Sequence, residues 1–365
     1  MLRKHLSRNG FLRSCPTTVK RRSLCRCLTS ECSRKPRKAQ AALPVPTISY
    51  DQLATQRDLW EDVDEFMEEV CQTGILSVSG VPGFPALRKE LLLAMNDFGD
   101  LPEETVRSKY ANERSKYAVG WSIGVETFDD RLDVSKGSFF ANPFNDNPRC
   151  GKTYYPEYHT PNVWPEEVPE LEKKFKEMGN MMLEVSLMLA GRIDGYMEAE
   201  VPENSGAVSE ILRSSQCHKA RGLVYFPGDF LNWCGHHNDL CMLTGLVPGL
   251  FVEDGEVVAN PDTTSGLYIG EPDGFSYRAA LDETSMVFQI GETLQALSKG
   301  KFKATPHWVA APVTNPKGIR RTSFAVFFQP DVDFRISDAR DEAGWESGMS
   351  FGEFARKKLN LCIRS

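Results

Sequence analysis

Three residues in the second half of the chain have the makings of a metal site. His237 and Asp239 stand two apart in His237-Asn238-Asp239, and His307 lies far downstream in Ala304-Thr305-Pro306-His307-Trp308-Val309. On an extended strand residues two apart face the same side, so His237 and Asp239 would converge on one ion while His236 points away. A third ligand must come from another strand, and His307 is the natural candidate. Two imidazoles and one carboxylate on one face of an octahedral metal leave three positions open, which suits iron(II) that must hold a cosubstrate and oxygen together. Alone, H-x-D is a weak signal, because a strand histidine near an aspartate is more often a satisfied polar pair. Zinc is the chemical rival, since Cys234, His236, His237 and Cys241 form a dense group of possible ligands. A structural zinc site, however, normally uses two separated ligand pairs around a turn. Asp239-Leu240-Cys241-Met242-Leu243 reads instead as a strand entering a core, which would bury Cys241 as a small hydrophobe.

Arg321 and Ser323 are also two apart, at the head of the apolar run Phe324-Ala325-Val326-Phe327-Phe328. On a strand they share a face, and a guanidinium fork beside a hydroxyl is a good seat for a carboxylate. The bland alternative is a pair of solvated arginines where a strand begins. Lys136 could meet an acidic substrate, but an exposed lysine is the simpler expectation.

Such side chains need a β framework, and the pattern supplies one. After about residue 220, short β runs alternate with Gly- and Pro-marked turns: Gly222–Phe226, His237–Leu246, Leu250–Val252, Leu267–Ile269, Met286–Ile290, Phe302–Val309 and Ser323–Phe328. Pro248-Gly249 is one of those turns. Many short strands with turn chemistry between them predict a barrel or jelly roll.

Upstream the period changes to that of helices. Trp60, Val63, Met67 and Val70 share a helical face that Gly74 ends, and Ile75, Leu76 and Val78 follow as a short strand. Leu87, Leu91, Met95 and Phe98 form a second helical face, and Leu101-Pro102-Glu103-Glu104 reads as a fresh helix start. Residues 110–160 show no period and read as irregular cover or the mouth of a site. The clearest helix, around 165–192, carries Leu171, Phe175, Met178, Met182, Val185 and Leu189 as one stripe, with Glu166 and Glu167 at its front end.

The charge is unevenly spread. Residues 1–40 hold 12 Lys/Arg and one acid, leaving 31 basic against 49 acidic residues in the rest. So acidic a body argues against nucleic acid as a partner. No stretch is long and apolar enough to span a membrane. The Arg-rich, acid-poor head, through residue 42, reads as a transit peptide for a chloroplast or mitochondrion, or else as a disordered tail on a cytoplasmic protein. The cysteines beyond the head have no paired spacing and read as free thiols in a reducing compartment.

Taken together and in order, these elements resemble the iron(II)/2-oxoglutarate-dependent oxygenases of the isopenicillin N synthase-like family. The resemblance runs through nearly all of residues 45–335. It rests on Val45-Pro46-Thr47-Ile48, Thr73-Gly74-Ile75-Leu76-Ser77-Val78, the H-x-D pair, Gly291-Glu292-Thr293-Leu294, the run Gly300 to His307, and the R-x-S of Arg321-Thr322-Ser323. It implies a double-stranded β-helix (an α+β jelly roll with a mainly β core) with helices packed outside. It divides the chain into an N-terminal oxygenase region at 45–160, the long helix and barrel domain at 161–335, and a C-terminal tail or helix at 336–365. It implies Fe(2+) on His237, Asp239 and His307, 2-oxoglutarate and O2 as cosubstrates, and Arg321 with Ser323 holding the 2-oxo acid's far carboxylate. No catalytic residue beyond the metal ligands is implied. Where many plant-type members have Asn-Tyr-Tyr-Pro, this chain has Val224-Tyr225-Phe226-Pro227, which leaves Tyr225 as a candidate pocket residue. The implied function is a dioxygenase that hydroxylates, desaturates or cyclises a small organic metabolite. A 2-oxoglutarate-independent iron oxidase is the alternative. Specificity is expected in residues 110–160, in the tail after Phe334 and in inward barrel side chains. The sequence sets no oligomeric state, and a monomer is compatible with it.

Overall fold

Along the strand Met286–Ile290, Val287 packs into one apolar core while Met286, Phe288 and Ile290 pack into another. The strand Lys219–Tyr225 divides in the same way, with Leu223 and Tyr225 on one side and Ala220 and Val224 on the other. Successive strand side chains point to opposite faces, so a strand covered on both faces reads as a continuous apolar run.

These strands belong to a larger sheet, ordered Thr47–Ser49, Ile75–Ser79, Met286–Ile290, Leu243–Glu253, Arg320–Phe328, Lys219–Tyr225, Lys136–Ala141 and Gly120–Ile123. A smaller sheet runs Ala42–Pro44, Ser276–Ala280, Gly266–Gly270, His307–Ala310 and Asn232–His237. The first core joins the two sheets, since Val287 and Tyr225 share it with Trp233, Leu267, Ile269 and Val309. The second lies between the larger sheet and the helices Phe84–Asp100 and Pro169–Glu200. Two sheets around a common core, with helices outside, make the double-stranded β-helix. This is a computed structural model that describes residues 42–362, apart from 56–60, 105–106, 129–130, 205, 229, 271–274, 314–317 and 337–343. The expected transit segment falls outside the described residues except for Ala42. Among the described residues no helix is long and apolar enough to cross a membrane.

The long helix runs Pro169–Glu200, with its stripe from Leu171 to Leu189 buried. Pro169 opens it, where a missing N–H costs nothing. Glu166 and Glu167 fall ahead of it, and Glu167 instead accepts from the Tyr110 hydroxyl at 2.5 Å and pairs with Lys109. The tail contains the helix Phe351–Cys362.

Several expectations are corrected. The single run His237–Leu246 is two strands in different sheets, and residues 238–242 cross between them. Pro248-Gly249 does not end a strand; the pairing register with Arg320–Phe328 shifts there and the strand continues as a β-bulge. The strand expected at Phe302–Val309 starts only at His307, because Thr305 and Phe302 are hydrogen-bonded to Ile290 and Ser298. Leu101–Glu104 starts no α-helix; Glu103 instead accepts from the Trp121 indole at 3.0 Å and pairs with Arg107 in the 3-10 turn Arg107–Tyr110. Residues 110–160 are not all irregular. Gly120–Ile123 and Lys136–Ala141 extend the larger sheet, and their alternation was hidden because buried Ser122, Lys136 and Ser138 occupy strand positions. Cys150 and Cys217 form a disulfide across 67 residues, which no local spacing announces.

Candidate active site

The strand Asn232–His237 ends on His237, opposite His307, the first residue of its neighbour. Their ring centroids are 4.3 Å apart. Asp239 lies past the strand end, where the chain turns toward the larger sheet. It reaches the histidines through that turn, so strand alternation is not what aims it. Its Oδ1 is 3.7 Å from His237 Nε2 and its Oδ2 is 4.0 Å from His307 Nε2. One ligand atom from each of the three lies within 4.8 Å of the others.

The tautomers suit this arrangement. His237 Nδ1 is 2.8 Å from the Gly235 carbonyl and His307 Nδ1 is 2.8 Å from that of Thr305. A ring nitrogen that donates to a carbonyl leaves Nε2 as the lone-pair nitrogen, the usual support of a metal-bound histidine. Burial, then the neighbouring His237 ring, pushes His307 down to about 4, so it presents a neutral nitrogen. Asp239 Oδ2 also accepts from Thr244 Oγ1 at 2.6 Å, which fixes the carboxylate.

The crossing segment is held from below by the turn at Gly291. Glu292 N donates to the Asp239 carbonyl at 2.8 Å, Thr293 Oγ1 to that of Leu240 at 2.5 Å, and Gly291 N to that of Met242 at 3.1 Å. A Cβ on Gly291 would sit 2.1 Å from the Cys241 carbonyl oxygen, so the close approach requires glycine. His307 is placed similarly, by Thr305, whose hydroxyl donates to the Gly74 carbonyl and whose N–H donates to Ile290.

The zinc alternative does not assemble. Among the described residues the only other group of possible ligands is Cys150, Cys217 and Asp331, where the cysteines are bonded to each other. Cys234 Sγ is 3.9 Å from His237 Nδ1, the nitrogen turned to Gly235. Cys241 is buried with its thiol against Thr244, and burial pushes its pKa up. His236 is exposed, 3.2 Å from the Gly270 carbonyl.

Arg321 and Ser323 do share a face, with Nη1 3.5 Å from Oγ, and both are buried. Tyr225 is paired with Arg321 across the strands, its ring 4.9 Å from the guanidinium carbon. No carboxylate among the described residues pairs with Arg321. The bulge makes room for it, because a Cβ on Gly249 would fall 2.4 Å from Arg321 Nε. Arg88 in turn clamps the bulge by donating to the carbonyls of Pro248 and Gly249.

A cavity of about 470 Å³ opens beside His237 and Asp239. Its walls come from Lys116 to Ala118, Ser122, Val125 and Glu126, from Glu157 and Tyr158, from Lys219 and Arg221, and from Lys358 and Leu359 of the C-terminal helix. Arg321, Ser323 and Tyr225 do not line it. The exposed position expected for Lys136 is wrong: it is buried, 3.0 Å from Glu126 and paired with Asp133. Glu126 also meets Arg221 at 2.7 Å. Burial opposes ionisation there, but Arg221 and Lys136 hold the Glu126 carboxyl well below its usual range. Lys219, Arg221 and Glu126 escaped the sequence reading. The one available signal was that Lys219 and Arg221 stand two apart, in phase with Leu223 and Tyr225.

Residues 256–330 match the sequence model of the 2OG-Fe(II) oxygenase superfamily, a stretch that contains His307, Arg321 and Ser323. The chain is 23% identical over 210 residues to gibberellin 2-beta-dioxygenase 3 of Arabidopsis thaliana, covering 56% of this chain and 54% of that one. It is 25% identical over 277 residues to leucoanthocyanidin dioxygenase of Malus domestica, covering 72% and 68%. The chain thus spans about half the length of the gibberellin enzyme. A crystal structure of a 2OG-Fe(II) oxygenase family protein from Caulobacter crescentus superposes with a TM-score of 0.65 at 21% identity, covering 88% of this chain and 99% of that one.

Proposed function

We propose that the chain is an iron(II)- and 2-oxoglutarate-dependent dioxygenase acting on a small organic molecule, of the 2OG-Fe(II) oxygenase superfamily whose sequence model residues 256–330 match. The observation that carries this reading is the set His237, Asp239 and His307, with three ligand atoms within 4.8 Å and both histidine Nδ1 atoms committed to carbonyls. Two imidazole nitrogens and one carboxylate fit iron(II) and leave open positions. When bound, the iron supplies the oxygen chemistry, coupled to conversion of 2-oxoglutarate to succinate and CO2.

The protein's own residues bind, orient and shield. Gly235 and Thr305 hold the tautomers, and Thr244 holds the Asp239 carboxylate. Arg321 is a buried cation with no carboxylate partner among the described residues, and with the Ser323 hydroxyl it would take the far carboxylate of 2-oxoglutarate. Tyr225 braces the guanidinium. The cavity beside His237 and Asp239 would receive the substrate, and its aromatic walls would keep water from it.

Succinate release from 2-oxoglutarate by anaerobically iron-loaded protein, on admission of oxygen, tests this reading. Iron-dependent succinate formation, raised by the right metabolite, is expected. Oxidation of a metabolite without any 2-oxo acid would instead identify the oxidase variant. No turnover under either condition would overturn the enzymatic reading.

A further inference from the structure

Four basic side chains line the cavity, and three already face a carboxylate. Lys116 Nζ is 2.8 Å from Glu157, Arg221 Nη2 is 2.7 Å from Glu126, and Lys358 Nζ is 3.0 Å from Glu292. Lys219 is the exception. Its Nζ donates to the backbone carbonyls of Ala118, at 2.7 Å, and Glu157. No carboxylate of the described residues pairs with it. An ammonium has three donors, so two carbonyls leave one N–H without a partner and no carboxylate in direct contact, Glu157 acting on it only through space.

The position is a costly one for a cation. Lys219 is 9% exposed, with the Tyr158 ring 5.0 Å from Nζ. Burial pushes its pKa down to about 7, against the pull of Glu157. A buried charge without a partner destabilises a fold, and a core position could be filled by an apolar side chain instead. The cost is explained if an anion completes the site.

Lys219, Arg221, Leu223 and Tyr225 lie on one face of their strand, by the alternation of strand side chains. Tyr225 stands opposite Arg321 and Lys219 opposite Phe327, six residues further along. At ~3.3 Å per residue that places Lys219 about 20 Å from the proposed cosubstrate seat. His237 and Asp239 line the same cavity as Lys219, among the apolar walls of Phe140, Tyr158 and Phe327. A molecule anchored at Lys219 would therefore lay an apolar body toward the metal ligands.

We propose that the substrate is a small, largely apolar molecule with a single carboxylate, and that Lys219 is the specificity residue that binds this carboxylate. The assignment rests on the oxygenase reading for the word substrate, while the binding itself does not depend on it. A volume of about 470 Å³ is within the range of small-molecule sites.

Equilibrium titration of the full chain with 4-phenylbutyrate and decanoate, each against its primary amide, needs neither iron nor turnover. The acids are expected to bind at least tenfold tighter than the amides. In Lys219→Met that ratio should fall to about one, while Lys219→Arg should retain it. Should Lys219→Met fail to fold, Lys219→Gln, which keeps an N–H donor but no charge, carries the same test. No acid preference in the wild type, or a preference that survives removal of the charge, overturns the assignment. Acid preference without any 2-oxoglutarate turnover would leave the cavity assignment standing and sink the enzymatic reading; turnover without acid preference would do the reverse.

Discussion

Thr244 holds the carboxylate of Asp239, a proposed metal ligand, through a 2.6 Å hydrogen bond to Oδ2. Outer partners of this kind typically tune metal affinity by roughly 10- to 100-fold. Thr244→Val should therefore weaken Co(II) or Fe(II) binding by about tenfold, and His237→Ala or Asp239→Ala by more, as read by metal titration. Arg321→Met should raise the KM for 2-oxoglutarate at least tenfold while moving kcat less, because it removes binding of a remote carboxylate. His218 makes a separate prediction about pH. It is buried, Nε2 against the Leu212 carbonyl and Nδ1 accepting from Gln329 N, and burial pushes its pKa down to about 4. Protonating Nδ1 would set a donor against a donor. The folded state thus resists a proton that the unfolded chain takes up near pH 6.5, so this stability is complete above that pH and lost as pH falls toward 4. The loss is on the order of 3 kcal/mol at most. Chemical denaturation across that window should show a shallower slope for His218→Asn, which keeps an acceptor but cannot protonate. The candidate metal ligands were legible because histidine is scarce here and only three of the six lie in the β-rich half. Lys219 and Arg221 were not, because charged residues normally lie at the surface and only the fold shows that these two point inward.

His237 and Asp239 do come together, but not by the strand alternation expected of them. The strand stops at His237, and the turn at 238–242 brings Asp239 round. What aims it is the Gly291–Thr293 turn beneath, a contact between segments some fifty residues apart that no spacing rule foresees. Gly291→Ala would drive a Cβ to 2.1 Å from the Cys241 oxygen. That variant should lose thermal stability and metal affinity together, whereas a plain packing defect would lower stability alone. The Cys150–Cys217 disulfide was equally hidden, because its partners meet only through the fold. Closing a 67-residue loop can stabilise by about 4 kcal/mol in the chain-entropy treatment. Reduction, or Cys150→Ser, should lower the unfolding midpoint measurably; an unchanged midpoint would show that the bond is not formed in solution.

The molecule as a whole sets the cavity between two sheets, closed in part by the helix Phe351–Cys362. Phe351 and Phe354 are buried in the outer core, and Lys358 and Leu359 line the cavity. The barrel pattern after residue 220 was readable because apolar strands alternate with turn residues. The strands at 120–123 and 136–141 were not, since Lys136 and Ser138 are polar yet buried. The most decisive measurement is anomalous diffraction from crystals grown anaerobically with iron(II) and 2-oxoglutarate. Iron is expected within bonding distance of His237 Nε2, the Asp239 carboxylate and His307 Nε2, with the far carboxylate of 2-oxoglutarate on Arg321 and Ser323. Iron at any other residues, or a 2-oxoglutarate molecule that does not touch Arg321, would contradict the proposed site.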